Sequence, residues 1–139
     1  MIETVRVEQW LYALLTGDTG PDGVHTLVGG RIYSYVAPQG AELPYVVYSY
    51  QGGYDVRGVG PARIMVSAVY QIKAIGQGHS FAPLQPVADR LDALLQGASG
   101  SVLDGHVLMC VREQPVAYVE ISAGVPYRHL GGLWRMIAQ

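Results

Sequence analysis

Four histidines and one cysteine are the side chains of this 139-residue sequence best suited to hold a metal or to act as a nucleophile. Metal sites usually take at least two ligands from one short stretch, because a single turn or strand pair then delivers both to the ion. His25, His79, His106 and His129 offer no such pair, since the nearest two are more than twenty residues apart. They read as exposed loop or strand histidines. A nucleophilic cysteine needs an electropositive, partly exposed setting such as a helix N-terminus. Cys110 instead lies inside the alternating stretch VLMCVRE and reads as a small core residue. Being single, it forms no internal disulfide, and it is compatible with a reducing cytoplasm.

Glycines and aspartates supply no chemistry either. GGYDVRGVG at 52–60 has the composition of a phosphate-binding loop. Such a loop must follow a strand and open a helix, so that backbone amides converge on the phosphate, whereas this one joins two expected strands. GGR at 29–31 lacks the lysine and hydroxyl pair of a P-loop. Asp89 and Asp92 share a helical face with Gln and Arg, without the burial or close neighbour that splits catalytic carboxylate pKa values. Asp22, Asp55 and Asp104 sit in glycine-rich stretches and are expected in turns. No catalytic, cofactor-binding or metal-binding constellation emerges. The sequence reads as that of a non-enzyme with no cofactor.

The elements that would position any site follow from apolar spacing. Val7, Trp10, Leu11, Leu14 and Leu15 make one helical stripe over about residues 4–16, stopped by Gly17 and Asp18. Residues 17–30 read as a loop and 31–37 as a short strand. After Pro44, YVVYSYQ alternates two rows, as a strand does. GGYDVRGVGP (52–61) reads as a long mobile connection. Residues 62–75 give the clearest strand: Ile64, Val66, Ala68, Tyr70, Ile72 and Ala74 share one face. Met65 and Val69 interrupt the polar face of that strand, which suggests a covered surface. A second helix begins near Pro86, after a looser turn that Ser80 could cap, and runs to about Leu95. Strands follow at about 105–120 and 127–137. Pro115 marks a bulge or an edge, and Gly131–Gly132 a bend or a close backbone approach. The expected fold is α+β in one domain, 1–139: a mostly antiparallel sheet of about four to five strands with two helices packed on one face, in the order helix, strands, helix, strands.

Composition points to a covered exterior. Half the residues are hydrophobic and only 14% are charged, against about 25% charged in an average soluble domain. Ten tyrosines offer apolar faces with polar tips. The net charge of −2 and the scattered nine Lys and Arg residues exclude a clustered basic surface for nucleic acid. The N-terminal MIETVRVEQW lacks the apolar core of a secretory signal. No apolar run reaches the roughly 18 residues of a membrane span, so no membrane partner is expected and the chain should be soluble where it is made. A partner surface is placed on Tyr50, Tyr54, Arg57, Arg63, Met65 and Val69.

The string GGRIYSYVAPQGAELPYVVYSYQGG (29–53) carries a resemblance. It is similar to the tail-completion, or tail-terminator, proteins of long-tailed bacteriophages, prophages and gene-transfer particles. YQIKAIG, PVADRLDALLQGA, DGHVL and YRHLGGLWRM follow in the same order. The resemblance implies a structural virion subunit, forming a hexameric ring on the head-proximal end of the tail tube. Its expected partners are copies of itself, the tail tube protein and the neck or connector protein of the capsid. DNA would only pass through the lumen. The protein would reside at the tail–neck junction of the virion, and in the host cytoplasm during assembly. Loops 17–30, 38–44 and 52–61 would reach tube or neck, and deleting 53–59 is expected to leave the fold intact. The alternatives are another head–tail neck component, such as a head-completion or stopper ring, or a small monomeric ligand-binding α+β domain.

Overall fold

Helix α1 spans Thr4–Thr16 and buries Val7, Trp10, Leu11 and Leu15, with Leu14 packed partly against them. Gly17 closes it by donating its N–H to the Ala13 carbonyl at 2.9 Å. The structure is a computed structural model and describes residues 3–139. A second, four-residue helix, α2 (Val24–Leu27), lies inside the segment expected to be a loop. The Asp18 carboxylate accounts for it. That group accepts the Val24 N–H at 2.8 Å and both Nε and Nη2 of Arg90 at 2.8 and 2.7 Å. The clamp ties the end of α1 to α2 and to a distant helix, a tertiary link that no local pattern announces.

The strands are β1 (Ile32–Ser34), β2 (Tyr45–Arg57), β3 (Arg63–Gln77), β4 (Gly100–Val102), β5 (Gly105–Ser122) and β6 (Val125–Ala138). Between β3 and β4 run a 3-10 turn, Ala82–Leu84, and helix α3, Gln85–Leu95. Ser80 Oγ accepts the Ala82 N–H at 3.3 Å, and the regular helix begins beside Pro86 as the two prolines require. One six-stranded sheet forms in the order β1-β2-β3-β6-β5-β4. Every pairing is antiparallel except β1 with β2, so the sheet is mixed. The fold is α+β in the expected order of elements. Two counts are corrected: the strands number six rather than four or five, because the three-residue β4 was too short to read, and α2 joins the two longer helices.

The segment 52–61 also differs from expectation. It is no mobile connection, because β2 runs on to Arg57 and only residues 58–62 turn the chain into β3. Two glycines had masked the strand. Gly53 is needed where it stands, since a Cβ there would lie 2.0 Å from the Ser67 carbonyl oxygen. Asp55 is therefore a strand residue, 3.7 Å from Arg63, and not a turn residue. Deleting 53–59 would remove the end of a paired strand, so that deletion is no longer expected to spare the fold.

All three helices bury their apolar stripes in one cluster with Val66, Ala68, Tyr70, Ile72 and Ala74 of β3, Val46 and Tyr48 of β2, and Trp134 and Met136 of β6. Tyr70 is fully buried, and its hydroxyl donates to the Thr4 carbonyl at 3.1 Å. Burial pushes its phenol well above the ordinary range. Among the described residues, no helix lies over the opposite sheet face. Gly131 lets the curled sheet close there, since a Cβ would sit 2.1 Å from the Ile72 carbonyl oxygen. Cys110 is buried in the core, where desolvation raises its thiol to about 12. His129 is the exception among the histidines: expected exposed, it is only 5% exposed on the helix-free face.

Candidate assembly surfaces

The helix-free face carries a cleft of about 490 Å³ beneath residues 35–43, floored by Val47, Lys73, Ile75, Glu120 and His129. The His129 ring stacks on Tyr118 with centroids 4.3 Å apart and planes 11° from parallel. Among the described residues neither ring nitrogen makes a hydrogen bond, and Nε2 has only the Glu120 carboxylate near it, at 3.5 Å. Burial first, and then the Lys73 charge, hold the imidazole pKa below its ordinary value. Lys73 Nζ donates to the Tyr118 hydroxyl at 2.6 Å. The sequence singled out His129 alone, as an exposed histidine, and not Lys73, Tyr118 or Glu120, because only the sheet brings 73, 118, 120 and 129 together. Among the described residues, no group of three or more His, Cys, Asp and Glu could hold a metal ion.

The six residues expected to meet a partner divide between two faces. Tyr54, Met65 and Val69 lie on the helix-free side, for Tyr54 pairs with Ser67 and Val69 with Arg135 across the sheet. Arg135 caps this patch: its guanidinium lies 5.6 Å from the Tyr54 ring centroid and is bonded to Glu113 and to Ser67 Oγ. Tyr50 points to the other side, its ring 5.6 Å from that of Tyr70. Arg57 and Arg63 face each other at the end of the β2–β3 hairpin. Arg63 bonds Glu3 at 2.8 Å, and this hydrogen bond and charge lower the Glu3 carboxyl pKa.

Among the described residues, two long stretches of strand edge are unpaired besides the outer sides of the three-residue β1 and β4. β1 covers β2 only as far as Tyr48; beyond the bulged Gln51, Gly52–Arg57 pairs on one side alone, with β3. At the other end of the sheet, β4 covers β5 only from Gly105 to Val107. Gly97 N–H and the Gln96 side chain then bond β5 at Cys110 and Arg112. From Glu113 to Ser122, β5 pairs with β6 alone. Pro115 stands at the start of this stretch, as an edge strand allows, and the bulge lies between Arg112 and Gln114.

Each edge has apolar surface beside it on the helix side. Pro115, Ala117, Val119 and Ile121 share rows with Gly132, Leu130, Arg128 and Pro126, and so continue the core face past the last helix. Ile121 is 73% exposed and Val119 45%. At the β2 edge, Val5, Glu8, Gln9 and Tyr12 of α1 form a shallow groove with Tyr48, of about 360 Å³.

No protein-family model matches the chain, and no curated protein matches it. Among solved structures, a chain described as "Virion of native gene transfer agent (GTA) particle" is similar, at 19% sequence identity and a TM-score of 0.73. The likeness covers 93% of this chain and 92% of that one. At that identity it is a likeness of fold, and it runs nearly end to end in both.

Proposed function

We propose that this chain is a structural subunit of a phage-like virion that closes a six-membered ring on the head-proximal end of the tail tube and offers its other rim to the capsid neck. The observation that carries the reading is the full-length fold likeness to a chain of a gene transfer agent virion. The sequence string at 29–53, similar to tail-terminator proteins, supports the position at the tail end. The two unpaired sheet edges support assembly, because an open edge is a template for another chain.

On this reading the protein performs no chemistry. It stops tube growth by occupying the last ring's exposed surface, and its partners are its own copies, the tube subunit and a neck protein. The helix-free face suits a wall that DNA slides past. Its charged side chains, Lys73, Arg135, Glu113 and Glu120, balance, so no basic stripe would hold the phosphates.

Electron microscopy of particles assembled without this chain tests the reading. Overlong tubes lacking heads are expected. Tubes of normal length, with DNA-filled heads that leak, would instead assign the chain to a neck ring on the head side. Normal infectious particles would end the structural reading altogether.

A further inference from the structure

We infer that the free edge of β5, Val116–Ser122, pairs with the free edge of β2, Gln51–Arg57, in a second copy of this chain, with Ile121 and Val119 entering that copy's groove beside α1. The inference rests on the ring reading above and names the contact that would close it.

Four observations carry it. The β2 stretch, and a stretch of β5 at least as long, have no partner on their outer side among the described residues. They lie at opposite ends of one sheet, so one copy's β5 end meets the next copy's β2 end without turning the sheet over. β5 runs antiparallel to β2 within the chain, because three antiparallel pairings separate them. A neighbour related by rotation therefore presents its β2 antiparallel to β5, which brings the Ser122 end beside Gln51 and the groove. Finally, the apolar row of β5 and the groove lined by Val5, Tyr12 and Tyr48 lie on the same, helix-bearing side. Directly opposed residues of paired strands share a face, and Val119 shares the helix-bearing face with Gly53 and Asp55 rather than with Tyr54, so the pairing sets Val119 opposite Gly53 and Ile121 opposite Gln51, beside the groove.

The contact is heterologous: a β5 edge fits a β2 edge, and neither fits itself in the same way. Such contacts close into rings or run on as filaments. Register decides what a ring requires. Gly53 of the β2 edge shares a row with Ala68 and Met136, whereas Val119 shares one with Arg128. The two edges are therefore offset by eight residues of β6, about 26 Å at roughly 3.3 Å per residue. Strands standing parallel to the axis would climb by that amount at every contact. A closed ring needs the strands slanted across its wall, as strands slant in a barrel.

Two exposed double variants test the contact. Val119→Lys with Ile121→Lys spoils the β5 edge, and Val5→Lys with Tyr12→Lys spoils the groove. Each should melt within a few degrees of the native chain. Solution mass and electron microscopy, with and without tail tubes, then report assembly. Each variant alone should associate about a hundredfold more weakly than the native chain, or worse. An equal mixture should give dimers only, because one sound β5 edge and one sound groove remain. Native rings that persist in either variant, or a native symmetric dimer, overturn the contact and leave the virion reading standing. A native chain that forms no ring, alone or on tubes, overturns both. The buried Cys110 thiol allows a second check. With Ile121→Cys and Tyr12→Cys combined, a short bis-maleimide should link native-sized rings into a ladder, and a ring that stays unlinked places the contact elsewhere.

Discussion

Replacing Gly131 by alanine asks whether the curl of this sheet is set by backbone contact. Gly131 sits mid-strand in β6, between β3 and β5, with register partners Lys73 and Val116. An added Cβ would meet the Ile72 carbonyl oxygen at 2.1 Å, the Lys73 Cα at 2.6 Å and the Lys73 Cβ at 2.9 Å. Two of the three atoms are backbone of a paired central strand, so the clash cannot be relieved by turning a side chain. Overpacking costs about 1–3 kcal/mol, and a collision with central backbone belongs at the top of that range. For a chain of this length, about 3 kcal/mol lowers the melting temperature by roughly 12 °C. Gly132→Ala is the matched control. Its nearest neighbour is the mobile Arg112 Nε at 2.9 Å, with the Gln114 carbonyl oxygen next at 3.1 Å. It should lose about 1 kcal/mol, because a flexible side-chain end moves aside more readily than backbone. Thermal melts followed by near-ultraviolet circular dichroism measure both. A Gly131→Ala protein melting within about 3 °C of the native chain, or a larger loss at Gly132, would show that the strands are not held this close.

Two further outcomes follow from the half-buried Asp18 and the buried His129. Asp18 has its carboxyl pKa lowered, chiefly by the hydrogen bond from Arg90, so its stabilising contribution is complete above the unfolded value near 3.8 and fades as pH falls through the lower folded value. Asp18→Asn should melt lower at pH 7 and show a shallower loss of melting temperature on acidification below pH 4; parallel curves for the two proteins would refute the clamp. His129 has the opposite consequence, because its depressed pKa makes protonation favour the unfolded chain as pH falls below about 6.5. His129→Phe keeps the stack on Tyr118 and removes two unpartnered nitrogens, so it should gain about 1 kcal/mol at pH 7 and lose the acid sensitivity just below pH 6.5; an unchanged or lower melting temperature would argue against a neutral, unpaired imidazole.

Local pattern was enough to read α1, α3, β3 and the β5–β6 pair, because each carries a full apolar stripe or row of its own. Val66, Ala68, Tyr70, Ile72 and Ala74 announced their shared face by alternation alone. What stayed hidden has a common physical cause: it depends on groups far apart in the chain. Helix α2 forms because Asp18 is held by Arg90, 72 positions away. β2 continues past Tyr50 because Gly52 and Gly53 fit against β3, although two adjacent glycines look like a break. The cleft around His129 draws on 47, 73, 120 and 129 from four strands. The unpaired edges were half legible, for Pro115 marked one of them, while the other lay inside the stretch taken for a loop.

The low charge of the chain can now be located. Many of the large apolar side chains left exposed gather near the edges and hairpin tips of the sheet: Val5, Tyr12, Tyr35 and Val36 at one end, Val119, Ile121 and Val125 at the other, and Tyr54, Val59 and Ile64 on the β2–β3 hairpin. Helix α3, by contrast, shows water Asp89, Asp92 and Gln85, as an ordinary outer surface does. A sheet whose ends are apolar and unpaired while the outer surface of α3 is polar has its unused binding capacity at its ends. On the proposed ring reading, that capacity would be used by copies in sequence, each covering the β5 end of one neighbour and the β2 end of another. A monomeric ligand-binding domain would need only the cleft, and would have no use for either edge.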